Sequence, residues 1–155
     1  MENKDEIIAK IKEFVTKYFE LLGIAVDYDL ELSDESVINL KLRVEKDSAG
    51  LIIGNKGSNL FAFQTILRSV FRSKFNDDVK FFVDIDDWRG KEEQRLQDLA
   101  SKTAERVVET GEPQNLYNLT PSQRRIIHIC LSKELGIKTE SFGEGTDRYL
   151  VVSPK

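Results

Sequence analysis

The stretch that decides the fold reads Leu51-Ile52-Ile53-Gly54-Asn55-Lys56-Gly57-Ser58-Asn59-Leu60. Two glycines three residues apart separate a short apolar run from a segment in which Leu60, Phe63, Ile66, Leu67, Val70 and Phe71 recur at helical spacing. The pattern predicts a short helix over 49–53, a sharp turn over 54–57 and a longer helix over about 58–74. Glycine lets the backbone turn tightly and come close to a ligand. The first amides of the second helix point outward without intrahelical partners, and with the helix dipole they favour an anion. Lys56, at the tip, adds a mobile positive charge. By its spacing alone G-x-x-G is more often only a turn, so the flanking sequence has to decide.

Upstream, Ile7, Ile11, Phe14, Val15, Tyr18 and Leu22 form one apolar face of an amphipathic helix over 4–22, with Gly23 at its end. Val26, Tyr28, Leu30 and Leu32 alternate with acids as a half-buried strand, residues 33–36 carry a turn signal, and Ile38, Leu40, Leu42 and Val44 alternate again. The two strands are expected to pair as an antiparallel hairpin. Downstream, Val79, Phe81, Val83 and Ile85 form a third strand. The first module therefore reads α-β-β-α-α-β over residues 4–88, and Trp88 is expected to pack between modules.

Residues 89–155 form a second module. A polar helix over about 89–110 carries a thin stripe of Leu96, Leu99, Ala100 and Val107. A short strand is expected at 115–117. Thr120-Pro121-Ser122-Gln123 is a helix start, with Thr120 as N-cap, Pro121 at the first helical position and Gln123 completing a capping box. That helix is expected to run to about Leu135. Two strands, near 138–142 and 148–152, close the module as α-(β)-α-β-β. The fold class is α+β, in two small modules.

Composition narrows the function. A hydrophobic content of 40 % in 155 residues supports a packed core and excludes a disordered chain. No apolar run reaches the roughly 20 residues of a membrane helix, and Met1 to Glu6 is acidic where a secretory signal would be basic. No membrane association and a cytoplasmic location are expected. With one Cys and one His, a zinc site of Cys/His ligands cannot be built. Cys130 and His128, two apart on a helix, do not face each other as a nucleophile pair. Asp84, Asp86 and Asp87 could suggest metal-assisted chemistry, but no nucleotide-binding motif accompanies them. The protein is expected to be no enzyme and to need no cofactor; the acidic trio reads as a solvated strand end.

The net charge of −4 is unevenly spread. Residues 48–76 contain no acid but hold Lys56, Arg68, Arg72 and Lys74; residues 113–133 contain none but hold Arg124, Arg125 and Lys133. A phosphate-binding surface needs local positive potential, not a basic whole. In the second window Arg124, Arg125 and His128 share one side of a helix, expected to be exposed, with Ile126, Ile127, Cys130 and Leu131 on or near the other. Arg124 and His128 are surface neighbours at four residues, and both can donate to a phosphate.

The order α-β-β-α-α-β with its G-x-x-G loop resembles a KH domain of the prokaryotic, type II topology, a module whose loop clamps the backbone of single-stranded RNA. The run 120–128, with its Arg and His separated by three residues, resembles the R-x-x-x-H domain, associated with single-stranded nucleic acid; Gly143-Glu144-Gly145, Arg148 and a closing apolar strand fit it too. A KH domain over 4–88 followed by an R-x-x-x-H domain over 89–155 resembles the bacterial Jag family of RNA-binding proteins, also called KhpB or EloR. The resemblance implies an RNA chaperone or post-transcriptional regulator linked to cell elongation and envelope homeostasis. It implies RNA binding by Gly54, Asn55, Lys56 and Gly57 and by Arg124, Arg125 and His128. The expected partners are single-stranded RNA, with single-stranded DNA as a competing ligand, and a small KH-only protein or a second copy of the chain. The alternative is a protein-interaction module that uses the KH fold for dimerisation without specific RNA binding.

Overall fold

A computed structural model describes residues 4–33, 37–72 and 79–155. The expected turn over 34–36 and the expected helix end at Lys74 lie outside the described residues. The chain divides into two units, Met1–Trp88 and Arg89–Lys155. Both are mixed α+β, each with helices packed on a three-stranded sheet.

In the first unit α1 (Lys4–Leu22) buries Ile7, Ile11, Val15 and Phe19, one residue every fourth position. Phe19, not Leu22, is the last anchor of that stripe; Leu22 is half exposed. The reason lies in the helix end, where the Gly23 amide bonds to the Glu20 carbonyl and the Ile24 amide to the Phe19 carbonyl. This double closure brings Ile24 back onto the core that Phe19 fills, and it turns Leu22 outward.

Strands β1 (Val26–Leu32) and β2 (Val37–Val44) pair antiparallel with Leu30 opposite Leu40. β3 (Lys80–Ile85) lies parallel to β2, with Leu40 opposite Val83. A parallel neighbour requires a crossover, and this one consists of α2 (Lys46–Ile53) and α3 (Ser58–Phe71) joined by residues 54–57. α3 buries Leu60, Phe63, Leu67 and Phe71 on the sheet, while the Gln64 side chain accepts from the Val83 amide. The glycine loop is thus the elbow of a crossover whose two ends are fixed by one core.

In the second unit α4 (Trp88–Thr110) and α5 (Pro121–Leu131) cover one face of an antiparallel sheet ordered β4-β6-β5, formed by β4 (Gln114–Leu116), β5 (Ile137–Phe142) and β6 (Tyr149–Pro154). Leu96, Ala100, Val107, Ile127, Leu131, Ile137, Leu150 and Val152 form the core. α5 stops at Leu131 and not near Leu135. The Ser132 hydroxyl takes the Ile129 carbonyl, and Leu135 is 94 % exposed, so no apolar contact extends the helix.

The start of α5 is held from outside. The Thr120 hydroxyl accepts from the Gln123 amide at 3.2 Å, and Gln123 Oε1 accepts from the Thr120 amide at 2.8 Å, closing the capping box. The other end of the Gln123 amide donates to Glu92 Oε1 at 2.7 Å, and Glu92 receives a two-pronged guanidinium from Arg95, both bonds at 2.8 Å. Arg95 holds the Glu92 carboxyl below the usual carboxylate range, partial burial opposes this, and Gln123 adds to the lowering. A depressed carboxylate stabilises the fold above its unfolded value and loses that contribution as pH falls through its folded one. Glu92→Gln is therefore expected to lower thermal stability at neutral pH, and the gap to the parent is expected to close as pH drops below about 4; melting curves of both proteins across that range check it.

Candidate functional site

Two places bring the sequence-derived residues together. In the glycine loop Gly54 has φ 71° and ψ −174°, a region open essentially to glycine alone. Lys56 follows at φ 52° and Gly57 at φ 83°. Asn55 and Lys56 are exposed at the tip, whereas Gly57 is buried. A methyl group on Gly57 would lie 2.7 Å from Trp88 Cζ3, closer still to Cη2, and 3.0 Å from Phe61 Cε2. Trp88 and Phe61 meet edge to face, and Trp88 packs against the first unit's core. Trp88 therefore floors the loop of its own unit. Asn59 locks the other side, its amide donating to the Leu51 carbonyl at 2.8 Å while its carboxamide carbon occupies the space a Cβ on Gly54 would need. Gly57, at the N-cap of α3, offers no side-chain acceptor, and no acid stands in the first turn. The result is a helix N-terminus exposed behind a lysine-bearing tip, an arrangement that attracts an anion.

The second place is a cavity of about 480 Å³ lined by Pro121, Arg124, Arg125, His128 and Leu150 with Thr139, Glu140, Ser141 and Arg148. It gathers three guanidiniums and one imidazole against one carboxylate. Arg125, His128 and Arg148 are exposed. His128 Nδ1 lies 2.5 Å from the Thr139 hydroxyl, which fixes the ring between α5 and β5. Arg124 corrects the expectation of a uniformly solvated face. It is 8 % exposed, and its Nη1 donates to the Leu119 carbonyl at 2.7 Å and the Arg148 carbonyl at 3.1 Å. A buried guanidinium needs such acceptors. Arg124 thus ties the chain before α5 to the chain before β6, and it floors the cavity rather than standing on its rim.

In the sequence Arg148 belongs only to the module's closing pattern; the fold places it opposite Arg125 and His128. Residues far apart in the chain carry no local signal that would join them. Asp86 and Asp87 both adopt positive φ and are exposed in the turn from β3 to α4, a conformation Asp tolerates better than most residues. Among the described residues no group of three or more His, Cys, Asp or Glu side chains is placed to hold a metal ion, and no helix is long and apolar enough to cross a membrane.

Comparison with known proteins places this cavity in a family. Residues 94–154 match the family model of the R-x-x-x-H (Arg-three-His) domain. The whole chain aligns with RNA-binding protein KhpB of Clostridium symbiosum at 28 % identity over 99 % of its length and 69 % of the relative's. It aligns with RNA-binding protein KhpB of Bacillus subtilis at 33 % identity over 78 % of the chain and 59 % of the relative. The protein of the same name from Streptococcus pneumoniae is 27 % identical over 94 % of the chain and 44 % of the relative. The chain is similar to the KhpB proteins along nearly its whole length. These relatives are named for binding and not for a reaction, and the chain spans from under half to about two thirds of their length.

The packing at Gly57 carries a test. Gly57→Ala combines a positive φ with a clash against a ring that cannot swing away without leaving the core, and it is expected to cost about 1–3 kcal/mol of stability. Urea unfolding followed by Trp88 emission, the chain's only tryptophan, reads both the loss and the displaced ring.

Proposed function

We propose that the chain binds single-stranded RNA at two places, by backbone clamping at Gly54, Asn55, Lys56 and Gly57 and by phosphate contacts from Arg125, His128 and Arg148, with Arg124 holding the second site in shape. The observation that carries this reading is the concave cluster of guanidiniums and imidazole inside the R-x-x-x-H match, in a chain whose overall charge is negative. A cleft of one sign concentrates phosphate locally whatever the net charge. Support for the first place comes from the α-β-β-α-α-β order and the elbow geometry, which agree with a type II KH domain over 4–88; residues 89–155 then form the R-x-x-x-H domain. That the relatives are named RNA-binding proteins supports RNA as the ligand. Single-stranded DNA offers the same phosphates and is a competitor. Within this reading the protein acts in the cytoplasm as an RNA chaperone or post-transcriptional regulator tied to cell elongation and envelope homeostasis, alone, as a pair, or with a small KH-only protein.

One observation favours the alternative of a protein-interaction module. An apolar groove of about 350 Å³ runs between α1 and the α2–α3 elbow, lined by Tyr18, Phe19, Leu22, Ile24, Leu51, Ile52, Asn59 and Phe63. Of its lining, Leu51 and Leu22 are 70 % and 52 % exposed. A patch of this kind is a docking surface for another protein.

Asn55→Asp combined with Lys56→Asp separates the two readings. Both side chains are exposed, so the fold is expected to survive, while two negative charges stand where a phosphate would lie. RNA affinity is expected to fall, and unchanged affinity in a folded double variant would refute the clamp. For single strands the logarithm of affinity falls against log salt with slope about −0.7 per phosphate contacted, so three to five contacts give roughly −2 to −3.5. Arg125→Ala is expected to make that slope shallower by about 0.7. A flat titration in the parent protein would favour the groove.

A further inference from the structure

The solvent face of the second sheet carries a row of three aromatic rings. Leu150 and Val152 of β6 point into the core, so strand alternation turns Tyr149 to the opposite face. Tyr149 pairs across the sheet with Phe142 of β5, and Tyr117 directly follows Leu116, the residue of β4 that pairs with Leu150. The ring centres of Tyr117 and Tyr149 are 4.9 Å apart at 33°, and those of Phe142 and Tyr149 6.2 Å apart at 32°. None of the three belongs to the second unit's core cluster or to the apolar side chains packed against it. Tyr117 is 58 % exposed and Phe142 43 %. The Asn115 amide donates to the Tyr117 hydroxyl at 3.1 Å, which holds the most exposed ring in place.

The row and the cationic cavity share one end of the sheet on its two faces. Arg148 and Ser141 line the cavity on the helix side, and their immediate chain neighbours, Tyr149 and Phe142, turn to the other face. A strand that passes around this end of the sheet rests a phosphate on Arg148 and carries its next bases to the rings. The surroundings favour a base over a protein surface. The next residues along this face are Asn115, Glu140 and Lys138, polar or charged, and Val151 between them on β6, so the apolar area is a short strip of three rings and one half-buried valine. Such a strip suits planar groups carried on a hydrophilic backbone.

We propose that Tyr117, Tyr149 and Phe142 form a stacking platform for nucleobases of the same single strand whose phosphate the Arg125–His128–Arg148 cavity holds. The proposal rests on the RNA-binding reading. Stacking on an aromatic ring tolerates any base, since every base has a π-face. The cavity thus reads charge, and the platform distinguishes a strand with bases from one without.

The test uses the full chain, a Tyr117→Ala, Phe142→Ala double variant and a Tyr117→Phe control. The probes are a short oligoadenylate and an abasic strand of equal length. The double variant is expected to bind oligoadenylate about five- to a hundredfold more weakly, to match the parent on the abasic strand, and to keep its salt slope and melting curve; Tyr117→Phe is expected to bind like the parent. Equal binding of oligoadenylate by the parent and the double variant would overturn the platform and leave the RNA-binding reading standing. An equal loss on both strands would also overturn it, because the rings would then serve the fold or the backbone. A parent that binds neither strand would remove the RNA-binding reading and the platform with it. A parent dimer, seen by light scattering, that the double variant dissolves without change in RNA affinity would assign the row to a second copy of the chain and overturn the proposal.

Discussion

Gly57 has no Cβ, and the edge of the Trp88 indole occupies the space one would need. The arrangement of the first unit follows from that contact. With the ring seated there, α3 begins at once behind the loop, its first turn free of acids and of a side-chain cap. Gly54, at the other side of the elbow, takes backbone angles that only glycine adopts readily, and Asn59 closes over it. Two residues at the tip stay exposed because the two glycines beside them take up the packing and the strain. The elbow is rigid at its base and charged at its end, a combination that lowers the ordering cost of meeting an anion.

Arg124 plays the corresponding part in the second unit by a different means. A charge that is 8 % exposed would destabilise the fold if left without acceptors. Its Nη1 instead binds the carbonyls of Leu119 and Arg148, which lie on the two chain segments bounding the cavity. The guanidinium supplies positive potential from beneath, while Arg125, His128 and Arg148 supply donors at the surface. The Thr120–Gln123–Glu92–Arg95 chain then fixes where the helix carrying Arg124, Arg125 and His128 starts.

Much of this was readable from local pattern. Strand alternation, the helical stripes and the capping box are set by neighbours within four residues, and the structure reproduces them within a residue or two at most boundaries. The exceptions have separate causes. Phe19 displaces Leu22 because backbone bonds at the helix end decide which residue faces in. The helix near Leu135 ends early because nothing lies against that side chain. Arg124 goes inside because the carbonyl of Leu119, just before the helix, and that of Arg148, far along the chain, converge on it. A helical projection places Arg124 and His128 on one sector, and only the tertiary partners determine that the sector's edge is buried. The Glu92–Gln123 bond spans 31 residues and has no local signature.

The hydroxyl beside His128 sets what the imidazole can offer. Thr139 Oγ1 can donate to Nδ1 or accept from it. When it donates, the neutral ring carries its hydrogen on Nε2. When the ring is cationic, the hydroxyl reverses its role and Nε2 still carries a hydrogen. An anion beside Nε2 selects this tautomer. A carboxylate at position 139 would instead pull the hydrogen to Nδ1 and leave the neutral ring presenting a lone pair. With an anion beside Nε2, threonine lets that nitrogen donate whether the ring is neutral or cationic, because the hydroxyl can take either role toward Nδ1.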